Sequence, residues 1–171
     1  MFDQWGEFYL LVGSAAAVLI GLIFVVISLM QDRSRSTVLT GSRLYMGPIV
    51  LGVSFVLVLS AAALAPGIDN RQFAAVTAVV ALWGLARAIM SSIGIARLKE
   101  VHWTDFWFYG AAPTGIYLAL AAIAVAFWQD CECSRVGVAV VITAMLLLAI
   151  RNEWDLITWI APRSSQDEEL K

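Results

Sequence analysis

The sequence predicts an all-α fold, a polytopic transmembrane bundle of five helices that forms a single domain over residues 1–171. Three observations predict it. Hydrophobic residues make up 61% of the chain and charged residues only 14%, where a soluble domain carries about 25% charge. Mean hydropathy is +0.83. The apolar residues also come in blocks, most of them long enough to cross a hydrocarbon core of ~30 Å as helices. No water reaches that core, so backbone groups must bond within their own segment, which selects the helix. The partner implied is the lipid bilayer. Nucleic acid is excluded, because the net charge is −2 and no basic patch is present.

The first span reads as residues 8–30. The seven residues before it carry no Lys or Arg, so it lacks the basic start of a signal peptide and is expected to be retained. Gly13, Ala17 and Gly21 recur every fourth residue. Such a stripe lets helix backbones approach closely in lipid, either within the chain or at a subunit interface. The polar connection 31–43 holds Arg33, Arg35 and Arg43. The second span, 44–65, has Gly47 and Pro48 in its first turns, where proline is tolerated. Pro66-Gly67 ends it, and the short link makes spans two and three antiparallel neighbours.

The third span, 73–95, carries Gly84, Arg87, Ala88 and Ser91 at i+3/i+4 spacing, a small and polar face expected to look into the bundle. The fourth, 106–128, contains Pro113 between Gly110 and Gly115, which predicts a kink near its start. Thr114 is placed to satisfy a freed backbone group there. The fifth, 136–158, is apolar for only its first 15 residues, about 22 Å, so the helix must carry RNEWD into the membrane edge. A polar tail, 161–171, follows.

Counting Lys and Arg in the connections puts the N-terminus outside and the C-terminus inside. Trp5 and Trp128 then sit at the outer interface, and Trp103, Trp107, Trp154 and Trp159 at the inner one.

Arg87 lies inside an apolar span, and an ionisable residue there marks a candidate functional site. It lies about 21 Å below Phe73. It is placed to snorkel to the headgroups, to form an internal ion pair, or to hold a transported ion or ligand. Arg151 lies at about the same depth in its own span. With Asn152, Glu153 and Asp155 beside it, the two arginines and two carboxylates predict a formally neutral intramembrane polar layer. The leading expectation is an ion pair from Arg87 to Glu153 or Asp155.

Cys131 and Cys133 form a CEC triplet. A disulfide between them, bridges to other chains and free thiols all remain open. Asp130 and Glu132 beside them do not complete a metal-ligand set. His102, the single histidine, lies in a charged connection with no nucleophile to serve. No serine motif, phosphate loop or dinucleotide fingerprint is present. The chain therefore reads as no enzyme, and no cofactor or metal is expected.

Phe24, Val25, Ile27 and Ser28 in the first helix, with Arg151, Trp154, Asp155 and Leu156 in the last, resemble a pattern of small bacterial multi-pass proteins. That resemblance covers about the first 30 and last 20 residues. It implies a bacterial inner-membrane location and no activity.

Two expectations for function follow. The first is a non-catalytic membrane protein that acts as a homo-oligomer, or as a membrane subunit or regulator of a larger complex. The second is an oligomeric ion channel or small transporter, with Arg87, Glu153 and Asp155 facing a pore.

Overall fold

The computed structural model describes residues 2–29, 47–96 and 107–168. Among them the chain is helical, without strands, and five helices are long and apolar enough to cross a membrane. After a 3-10 turn over Asp3–Trp5 come α1 (Gly6–Leu29), α2 (Gly47–Leu64) and α3 (Asn70–Ala96). A π-helical turn over Trp107–Ala111 leads into α4 (Ala112–Trp128), and α5 (Cys133–Glu168) closes the chain. The connections that set the expected orientation, residues 31–43 and 97–105, lie outside the described residues, as do His102 and Trp103. So does the side chain of Trp159.

The helices begin and end where polar residues can take over backbone bonds. Asp69 and Gln72 form a reciprocal cap on α3. The Gln72 amide donates to Asp69 Oδ1 at 2.7 Å, and the Asp69 amide donates to Gln72 Oε1 at 3.3 Å. This cap starts the helix three residues before the apolar block. At the start of α4, Pro113 has no amide to donate, and the chain widens into the π-turn just before it. The Thr114 hydroxyl donates to the Gly110 carbonyl at 2.8 Å, the bond to the residue four before it that helical threonines make, and not to a carbonyl freed by Pro113.

The last helix is longer than the apolar composition suggests. Its 36 residues rise about 54 Å, well beyond the ~30 Å of a hydrocarbon core. RNEWD is carried as continuous helix, and the helix runs on to Glu168 through most of the polar tail. Glu, Gln and Arg there are good helix formers.

Packing is pairwise. α1 lies chiefly on α2, and α3 chiefly on α4. α5 packs on α2 and α4 and so ties the two pairs together. The first residues, the α2–α3 link and the α4–α5 link gather at one end of the bundle. There Phe2 is buried edge-on against Tyr9, Phe73 and Phe127, with ring centroids 5.0, 4.9 and 6.0 Å away. Asn70 donates to Asp130 Oδ1 at 2.7 Å across the two links. Cys131 and Cys133 are bonded to each other as a disulfide.

Candidate functional site

The face of α3 singled out by its small and polar residues lines an internal cavity. Gly84, Arg87, Ala88 and Ser91 all contribute to its wall. α2 adds Pro48 and Gly52, α4 adds Pro113 and Tyr117, and α5 adds Met145 and Asn152. The cavity measures about 50 Å³.

Close approach of two helices shapes it. A Cβ added at Gly84 would overlap the ring of Tyr117, so only glycine lets this ring of α4 come so close to α3. Tyr117 is buried, stacked edge-on against Phe55 of α2 at 6.1 Å. Its hydroxyl forms no hydrogen bond with another described residue. Sequence reasoning missed this tyrosine. A tyrosine at the midpoint of the mostly apolar fourth span was the available signal.

The polar groups of the cavity are mostly donors. Arg87 lines it from an exposed position at the rim, with neither an ion pair nor a hydrogen bond to a described residue. Ser91 Oγ is buried and lacks a partner, whereas the hydroxyl of neighbouring Ser92 donates to the Ala88 carbonyl at 2.8 Å. Asn152 is buried, and its Oδ1 accepts from Arg151 Nη1 at 3.4 Å. That bond leaves the Asn152 amide nitrogen as the free donor. The Asn152 carbonyl accepts from the Tyr109 hydroxyl at 3.5 Å. No carboxylate stands in the wall.

The expected ion pair from Arg87 to Glu153 or Asp155 is not formed. Asp155 is held within its own helix by Arg151, at 3.1 Å, and the Arg151 guanidinium also stands 3.2 Å from the centroid of the Phe108 ring. Glu153 is buried, with Oε1 unpartnered, outside the cavity wall. The reason is angular. Each residue turns a helix by about 100°, so Asn152 facing the cavity turns Glu153 away from it. The five polar residues thus fall into three groups: Arg87 with Asn152, Arg151 with Asp155 and Asn152, and Glu153 alone.

The small-residue stripe of α1 divides as well. Gly13 is buried, and a Cβ there would stand 3.1 Å from Ser60 Cβ of α2. Ala17 and Gly21 are exposed, and nothing lies within 4 Å of a Cβ at Gly21. A four-residue repeat drifts about 40° per step around a helix, which carries the stripe off the α2 contact.

No group of three or more His, Cys, Asp or Glu side chains comes together as a metal site among the described residues. Comparison with protein families, with curated proteins and with solved structures finds no match for this chain.

Proposed function

We propose that the chain is a non-catalytic integral membrane protein that works by assembling in the bilayer, with a second copy of itself as the first partner. A bacterial inner membrane, with the N-terminus outside, is the proposed location. The observation that supports assembly is the outward face of α1. Leu10, Ser14, Ala17, Gly21, Phe24 and Ser28 are all exposed and follow one another at alternating steps of four and three. That spacing forms a seam for packing against another helix. Its centre is small, so two backbones can approach closely, which is how helices associate where lipid removes the hydrophobic drive. A surface facing lipid alone has no use for a Ser-Ala-Gly centre.

The test is native mass in nanodiscs. The wild-type chain is expected as a dimer or larger, and Gly21→Leu as a monomer with unchanged helical content. A wild-type monomer at all protein concentrations contradicts the reading.

A further inference from the structure

We propose that the cavity between α2, α3, α4 and α5 is an oxyanion site that takes a phosphate group, with Arg87 as its cation. This goes beyond assembly through α1 and does not depend on it.

The argument rests on what the cavity offers and what it lacks. Arg87 lies seven residues before the end of the apolar window Asn70–Gly94, about 10 Å within it. A guanidinium at that depth is stabilised by a counter-charge or by reaching the headgroups. Among the described residues the wall contains no carboxylate, Asp155 is paired with Arg151, and Glu153 lies outside the wall. No carboxylate among the described residues meets the Arg87 guanidinium, which leaves it to pair with an anion seated in the cavity.

Snorkelling would account for Arg87 by itself. It leaves three other donors unexplained. Ser91 Oγ is buried without a partner, Tyr117 presents a hydroxyl, and Asn152 presents an amide nitrogen whose orientation is fixed by Arg151 on the opposite atom. An orphaned buried donor costs about 1–3 kcal/mol, and Ser91 Oγ is one, so a guest that accepts both from it and from the neighbouring guanidinium is favoured.

Size narrows the guest further. A volume of about 50 Å³ holds about four water-sized groups, which is the scale of a tetrahedral oxyanion and not of an acyl chain. The planar fork of an arginine matches phosphate oxygens in pairs. The apolar walls at Ile49, Ile116 and Leu148 would flank the rest of a lipid, which would run outward past the exposed rim. The phosphate of a phospholipid and a free phosphate ion share this chemistry, and the experiment separates them.

Delipidated full-length protein in a neutral maltoside detergent is titrated calorimetrically with three probes. These are dihexanoyl phosphatidylglycerol, inorganic phosphate, and dihexanoylglycerol, which lacks the phosphate. Binding of the phospholipid without binding of phosphate assigns the site to lipid, and equal binding of both assigns it to the free ion. In either case Arg87→Gln is expected to weaken binding about tenfold or more. Ser91→Ala and Tyr117→Phe each delete one hydroxyl, keep the shape, and are expected to weaken it several-fold. Should Arg87→Gln fail to fold, those two variants carry the test. The proposal is overturned if neither phosphate probe binds, if dihexanoylglycerol binds as well as the phospholipid, or if the variants bind as wild type.

Discussion

The two ends of this bundle handle polarity in opposite ways. At the end where the first residues and the links 65–69 and 129–132 meet, the link residues satisfy one another locally, and the buried hydroxyl of Tyr9, without a partner among the described residues, sits among aromatic rings. Asp69 and Gln72 cap one another, Asn70 bonds Asp130, Ser134 Oγ donates to the Cys131 carbonyl at 2.6 Å, and the cysteines bond each other. Beneath them Phe2, Tyr9, Phe73 and Phe127 close the bundle with edge-on rings. Toward the other end, Arg87, Tyr117 and Asn152 share one cavity with the buried, unpartnered Ser91 Oγ. Satisfied polarity holds helices together. Donors left without acceptors are what a ligand recognises.

Substitutions can separate the ends. The largest effect is expected at the aromatic end. Phe73 is fully buried, with rings on two sides, and Phe73→Ala should cost about 3 kcal/mol in reversible unfolding in mixed micelles. Phosphate binding by the fraction that remains folded should be unchanged. Joint loss of stability and binding would break the comparison.

Gly84→Ala comes next. Its methyl group must displace the Tyr117 ring, an overpacking of about 1–3 kcal/mol. Unlike Phe73→Ala, it should also abolish binding in the cavity, measured with the same calorimetric titration. Asp69→Ala removes one half of the α3 cap and should lower stability by about 1 kcal/mol, with binding untouched. The smallest effect belongs to Asp155→Asn. Its partner Arg151 is partly exposed and one turn away on the same helix, so double-mutant analysis of the pair should return about 0.5 kcal/mol or less.

Much of this fold was legible because a membrane imposes long apolar blocks. Each expected span overlaps a helix, and the main differences lie at the ends. α3 starts at Asn70 because Asp69 caps it, and α5 continues because nothing in RNEWD stops a helix. The face of Gly84, Arg87, Ala88 and Ser91 was legible too, since i+3/i+4 spacing depends only on the helix itself. The partner of Arg87 was not. Depth can be counted along a sequence, and it sets Arg87 level with Arg151, the neighbour of the cavity-lining Asn152. Azimuth between helices cannot be counted, and it decides that Asn152 and Tyr117, rather than Glu153 or Asp155, face the cavity. The same limit divided Gly13 from Ala17 and Gly21.

The most direct test is solid-state NMR of the protein in anionic bilayers, with 15N-labelled arginine and 31P dephasing of the guanidinium signals. The Arg87 resonances are assigned by their loss in Arg87→Lys. The oxyanion site predicts strong 31P dephasing at Arg87 that weakens in Ser91→Ala and Tyr117→Phe. Absence of dephasing at Arg87 would contradict it, as would dephasing that both variants leave unchanged, which is the behaviour of an arginine that merely reaches the headgroups.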